Sequence, residues 1–347
     1  MFKYLAIILS KSSVSYCAYE NTPFDNKTDD LISLPHLKNA VTFALKNNLK
    51  VNFLFPEYDL PLEYNALIDE VEHIKIVPLQ LYATYQDSIL VIQPKNLLQN
   101  ADIKGLKDGN VILRVSKQHL PQLHTCISML APKCTRINLV LTDIEKYRDE
   151  DLDEYASQLA QISLYIQDSL SGNKIPELNF LTDRMFLAQM NNCNAGLSHL
   201  SVAPNGKLYL CPAFYYHNED STLGEIKNDV EIKNKQLLEL KYAPICRICD
   251  TYQCRRCVFL NKKLTSEINT PSYQQCRLSH IEREASRLMS IALKESKNFT
   301  RQIETIPEID YLDPFEIAQK HKIEISAFKL INYANTKNEN EIGGESN

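Results

Sequence analysis

Short apolar runs alternate with helix-period segments through the first half of the chain. Tyr4–Ser10, Val51–Phe55, His73–Val77, Ser88–Ile92, Val111–Val115, Arg136–Leu141 and Leu178–Leu181 read as strands. Helices are expected between them. Leu37–Asn48 sets Leu37, Val41, Ala44 and Leu45 on one face, and Leu62–Val71 follows Pro61, a good first-turn residue. Gln118–Leu130 is amphipathic. Asp151–Leu170 is the longest, with Leu152, Tyr155, Leu159, Ile162, Tyr165 and Ile166 at three- and four-residue steps. Strands alternating with helices predict parallel βαβ units and an α/β fold. The pattern suits either an open or partial (βα) barrel or an open doubly wound sheet; periodicity does not separate the two.

The pattern changes after Thr182. A hairpin is expected from Ser201–Val202, a Pro204-Asn205-Gly206 turn and Lys207–Leu210, because Asn-Gly accepts positive φ at both positions. A helix from about Ser279 to Ser296 follows, with Ile281, Ala285, Leu288, Met289 and Ala292 on one face, and a short helix is expected from Asp313–Pro314. The polar tail, residues 334–347, reads as disordered. The expected domains are residues 1–182, a partial (βα) barrel; 183–277, a cysteine-rich domain; 278–333, a C-terminal helical segment; and the tail.

Composition narrows the function classes. Glycine occurs only 8 times in 347 residues, and no GxGxxG or GxxxxGK[ST] loop exists, which argues against a glycine-cradled nucleotide site. The net charge of −5 argues against nucleic acid as a partner. No stretch reaches the ~18 apolar residues needed to span a membrane. The apolar run Tyr4–Leu9 is also shorter than the ~7–15 residues of a signal-peptide core. The expectation is a cytoplasmic protein, in which clustered cysteines serve as metal ligands more often than as disulfides.

The chain has 10 cysteines. Cys17, Cys126 and Cys134 are scattered. The others run Cys193-x12-Gly206-x4-Cys211, then Cys246-x2-Cys249-x4-Cys254-x2-Cys257, then Cys276. Thiolates two residues apart can share one ion or cluster while the backbone turns between them. Seven thiols exceed what one tetrahedral zinc can use. Arg247, Arg255, Arg256 and Arg277 lie among them and would offset thiolate charge. Iron–sulfur clusters and structural zinc are both compatible with this set.

Cys-x12-Gly-x4-Cys, a CxxC-containing quartet and a final cysteine resemble the SPASM extension of radical S-adenosylmethionine (SAM) enzymes, and Leu223-Gly-Glu-Ile226 strengthens the likeness. The resemblance implies two auxiliary 4Fe-4S clusters. Cys193, Cys211 and Cys257 would hold the first; Cys246, Cys249, Cys254 and Cys276 would hold the second. The quartet spacing of two, four, two departs from the family's usual two, five, three. The first set also lacks a fourth cysteine, for which His199 is a candidate; a hydrogen-bonded hairpin residue is the plainer role.

Radical SAM enzymes carry CxxxCxxC just after the first strand. Here Ser10 to Tyr19 contains one cysteine, Cys17, and the glycine-rich segment expected after the second strand is replaced by Pro56-Glu57-Tyr58. The expectation is that the chain does not cleave SAM reductively, and that Cys17 is a remnant, a substrate-facing thiol or a buried residue. A barrel without that triad, joined to a SPASM-like half, resembles the CXXX repeat peptide maturases. Met1-Phe-Lys-Tyr-Leu5, Ser13-Val-Ser-Tyr-Cys17-Ala-Tyr-Glu-Asn21 and Phe53-Leu-Phe-Pro-Glu-Tyr58 carry the likeness. It implies a partial TIM-like barrel of radical SAM type followed by a small SPASM-like domain and C-terminal helices. The implied function is maturation of a cysteine-rich, ribosomally made precursor peptide beside a companion radical SAM protein. Two rival readings are a non-catalytic pseudo-enzyme that delivers the peptide and a zinc-binding adaptor.

The remaining histidines show no HxxxH or HExxH spacing and read as structural or surface residues. Asp149-Glu-Asp-Leu-Asp-Glu154 reads as a solvated helix start rather than a cation loop. Tyr215-Tyr-His217 could line a peptide groove or simply pack. Lys262–Lys263 could meet an acidic leader or solvent.

Overall fold

A computed structural model describes residues 2–20, 31–99, 103, 105–169, 176–186, 194–226, 230–249, 251, 254, 256–296 and 301–309. Cys193, the helix expected from Asp313–Pro314 and the tail lie outside the described residues.

Ten strands form one sheet: β1 Tyr4–Ile8, β2 Lys50–Leu54, β3 His73–Pro78, β4 Ile89–Ile92, β5 Gly109–Val115, β6 Cys134–Leu141, β7 Glu177–Leu178, β8 His199–Val202, β9 Lys207–Tyr209 and β10 Gly224–Glu225. Their order is β10-β9-β8-β1-β2-β3-β4-β5-β6-β7. From β8 through β1 to β7 every pairing is parallel; β9 and β10 add antiparallel pairs at one edge. The sheet is an α/β partial barrel, and the hairpin pairs directly with β1. The helices are α1 Leu34–Lys46, α2 Leu62–Ile68, α3 Pro94–Gln99, α4 Leu123–Leu130, α5 Asp149–Asp168, α6 Asp183–Phe186, α7 Pro212–His217, α8 Val258–Thr265 and α9 Tyr273–Glu295.

The elements follow local rules. Ser33 caps α1, its hydroxyl accepting from His36 N at 3.3 Å, with Pro35 in the first turn. At the start of α5, Arg148 N donates to the Asp151 carboxylate at 2.7 Å, and three acidic residues sit at the positive end of the helix dipole. Pro121 divides the expected Gln118–Leu130 helix into a 3-10 turn, Lys117–Gln122, and α4, because a proline has no N–H to donate. The parallel strands bury both faces: Leu5, Ile7 and Ile8 on β1, Phe53 and Leu54 on β2 and Leu113 on β5 are each fully buried. Each such side chain contributes about 1.5–3 kcal/mol by leaving water. No described helix is long and apolar enough to cross a membrane.

The hairpin turn differs from the two-residue form expected. Ala203 N donates to Lys207 O and Gly206 N to Ala203 O, so three residues form the loop and only Gly206, at φ 76°, is left-handed. The same glycine lies against His36, whose ring a Cβ would meet at 2.7 Å.

Candidate metal centre

The quartet cysteines sit in an irregular segment between the sheet edge and α9. A 3-10 turn, Cys246–Ile248, with Cys249 N donating to Cys246 O at 3.4 Å, folds the first CxxC back on itself. Cys254 N donates to Thr251 O at 2.9 Å, closing a second turn. Cys276 belongs to the first turn of α9, which starts at Tyr273 and not near Ser279 as expected. Ser272 caps that helix by accepting from Gln275 N at 3.3 Å.

Cys246, Cys249, Cys254 and Cys276 line one cavity of about 90 Å³. This is room for several waters, since one needs roughly 10–15 Å³. Its wall also includes Thr251, Arg256, Ser279 and His280. These thiols spread around the wall: among the described residues, no three His, Cys, Asp or Glu side chains are gathered to grip a single ion. Burial pushes the Cys246 thiol up to about 12, with Cys254 adding to the rise and Arg256 opposing it. Burial likewise raises Cys254. Such thiols keep their protons until a metal displaces them.

The surroundings fit a thiolate-bound metal. Four soft thiol donors suit iron–sulfur or zinc. Thr251 Oγ1 and Arg256 Nη1 are buried donors that meet no acceptor among the described residues, and an anionic centre would supply one. Arg256 also donates to Leu238 O, which fixes its guanidinium at the cavity wall. Polar groups already reach two of the sulfurs. Thr251 N lies 3.3 Å from Cys249 Sγ, His280 Nε2 3.8 Å from the same sulfur, and Ser279 Oγ 3.2 Å from Cys254 Sγ. Bound there, a cluster would supply electron transfer and zinc would supply only structure.

Among the described residues, the candidate ligands Cys211, Cys257 and His199 do not line this cavity. Cys211 and Cys257 stand at the N-caps of α7 and α8, helices that pack through Phe214 and Phe259 with ring centroids 5.6 Å apart. Asn194 and Ala195, next to Cys193, do line it. His199 opens β8, two residues before the β8–β9 ladder begins at Ser201 and Tyr209. Burial pushes His199 down to about 4, so its ring is neutral near pH 7. Its Nδ1 lies 3.0 Å from Ser198 Oγ and its ring stacks on Tyr4 at 4.4 Å, so the described contacts are those of a packed hairpin residue.

A second arrangement lies at the C-terminal ends of the strands. Arg114, buried on β5, donates to Cys17 O at 3.2 Å, to Tyr19 O at 2.6 Å and to Glu20 Oε1 at 2.7 Å. Tyr19 stacks on Tyr216 of α7 at 5.1 Å. The segment after β1 is thereby tied into the barrel. Beside it is a cavity of about 270 Å³ lined by Tyr19, Thr142, Tyr216, His217, Phe259 and Lys263, among others. Lys263 pairs there with Glu145 at 2.8 Å. Cys126 and Cys134 are barrel-core thiols, raised by burial to about 11 and about 12.

One solved structure decides the fold. It is native anSMEcpe with bound AdoMet and Cp18Cys peptide, matching at a TM-score of 0.58 and 12% identity over 84% of this chain and 98% of that one. This chain shares that structure's α/β partial-barrel fold. Scans of protein-family models and of curated proteins give no match.

Sequence reasoning singled out neither Ser279, His280, Thr251 nor Arg114. His280 was readable from α9 alone: with Cys276 on a helix, positions 279 and 280 share its face. Arg114 carried the signal of a charge inside an apolar strand.

Proposed function

We propose that this chain matures a cysteine-rich, CXXX-repeat ribosomal peptide together with a companion radical SAM enzyme, using auxiliary 4Fe-4S clusters. The observation that carries the reading is a radical-SAM-type barrel with four thiols around one cavity and a single cysteine after β1. The Cp18Cys peptide bound to anSMEcpe, and the sequence words shared with the CXXX repeat peptide maturases, support a cysteine-containing peptide as substrate. The cavity beside Tyr19 and Tyr216 is the place for it, at the C-terminal ends of the strands where barrel folds hold their substrates. Cys246, Cys249, Cys254 and Cys276 hold one cluster; Cys193, Cys211 and Cys257, with His199 as a candidate fourth donor, hold the other. Four thiols ringing a void favour a multi-atom cluster over zinc.

Tethering of the post-β1 segment by Arg114 favours a second reading, a pseudo-enzyme that binds and delivers the peptide while its partner supplies the radical. Anaerobic purification, iron, zinc and sulfide analysis, and a maturation assay with and without the partner test both. About eight iron and eight sulfide per chain, with maturation lost in a Cys276→Ala variant, is the result expected of two 4Fe-4S clusters. One zinc and no sulfide would overturn the cluster reading. Peptide binding with unchanged maturation after Cys276→Ala would favour the carrier.

A further inference from the structure

Helix α9 brings three consecutive face positions to the thiol cavity. Cys276, Ser279 and His280 are spaced i, i+3, i+4, which places them on one side of a helix. Cys276 supplies a sulfur; the other two reach sulfurs on the opposite loop. Ser279 Oγ lies 3.2 Å from Cys254 Sγ, and His280 Nε2 lies 3.8 Å from Cys249 Sγ. His280 is 2% exposed, so water does not compete for its ring.

Metal loading fixes the direction of these contacts. A thiol can donate or accept, but a metal-bound thiolate can only accept. Ser279 must then donate its O–H, and His280 must carry its proton on Nε2. Thr251 N, 3.3 Å from Cys249 Sγ, already donates in that direction. Two of the four thiolates would therefore be partly neutralised by donors from α9 and one also from its own loop. Hydrogen bonds to ligating sulfur lower the charge that the metal must balance and hold the ligand in place.

We propose that Ser279 and His280 are positioning residues of the metal centre: they hydrogen-bond the bound thiolates of Cys254 and Cys249 and so set its affinity and electronic structure. The inference rests on Cys246, Cys249, Cys254 and Cys276 binding metal and holds whether the resident group is iron–sulfur or zinc.

The test is anaerobic titration of the full chain with cobalt(II) chloride, whose thiolate-to-cobalt charge-transfer absorption reports bound sulfur directly. A Cys276→Ala chain gives the baseline for cobalt held elsewhere. Ser279→Ala and His280→Phe are expected to bind cobalt about 10–100-fold more weakly and to shift the charge-transfer band, with far-UV circular dichroism unchanged. Ser279→Thr and His280→Gln keep a donor and should recover most of the affinity and the band position. Wild-type affinity and spectrum in the Ala and Phe variants would overturn the inference while leaving the metal site standing. So would Thr and Gln variants as weak as Ala and Phe, since packing alone would then explain the loss. If the wild-type chain develops no thiolate band above the Cys276→Ala baseline, the same variants are compared after anaerobic reconstitution with iron(II) and sulfide, by cluster absorption and its rate of loss; a wild-type chain that takes up neither cobalt nor iron and sulfide above that baseline overturns the metal reading, and this inference falls with it.

Discussion

Two residues beyond His280, α9 meets the barrel wall. Arg184 of α6 and Glu282 of α9 form an ion pair at 2.9 Å whose side chains are 0% and 4% exposed. Arg184 Nη1 also donates to Phe180 O at 3.1 Å, and Tyr155 of α5 donates to the other Glu282 oxygen at 3.0 Å. Glu282→Ala would remove a carboxylate from a fully buried guanidinium and from a buried phenol. Breaking such a pair from one side costs about 3–5 kcal/mol, because the remaining charge stays desolvated. Replacing both partners, as Arg184→Met with Glu282→Leu, removes the stranded charge and is expected to restore at least about 2 kcal/mol of that loss. Urea unfolding followed by circular dichroism, at constant slope, measures both changes. In heating scans the single variant should melt at least roughly 6 °C lower, at about 2–4 °C per kcal/mol for large domains. A loss below about 1 kcal/mol in Glu282→Ala, or a double variant as unstable as the single one, would refute a buried, mutually dependent pair.

Gly206→Ala should destabilise the chain by about 1 kcal/mol or more, because φ is 76° and the new Cβ meets the His36 ring; urea midpoints of Gly206→Ala and of a His36→Ala, Gly206→Ala double variant separate the two causes. At pH 8, iodoacetamide should spare Cys126 and Cys134 in the folded chain, as mass mapping of alkylated peptides would show. Their thiols are raised from 9.0 to about 11 and about 12, so the stability they lend is full below pH 9 and is lost as pH rises through those values. Replacing Cys134 by Ala should flatten the alkaline side of the stability–pH curve over that window. Arg114→Met should free the segment from Cys17 to Glu20, read as faster amide hydrogen exchange there with little change across β2 and β3.

The barrel strands were legible because buried parallel strands are short, continuous apolar runs: both ends of each of β1 to β6 fall within two residues of those runs. The seventh was misplaced. Leu178–Leu181 reads as a strand, but Thr182 Oγ1 accepts from Leu178 N at 2.7 Å and turns the chain into α6 after two paired residues. α3, α7 and α8 were missed, being 6 to 8 residues long and too short to show a helical period. The start of α9 was readable in principle, since Ser272-x-x-Gln275 is a capping pattern. That Cys246, Cys249, Cys254 and Cys276 line one cavity depends on how their loop folds back on α9, which the sequence pattern does not show. Which donors would approach their sulfurs depended on the phase of a helix whose first turn the apolar pattern did not reveal.

Arg114 gives the segment after β1 a shape that outlasts its sequence. Its guanidinium holds two main-chain oxygens, at Cys17 and Tyr19, so the tether does not depend on which side chains the segment carries. Substitutions along the segment change what it presents to the adjoining cavity without releasing its backbone. The lining at the barrel mouth can therefore be altered one residue at a time on a fixed main-chain path.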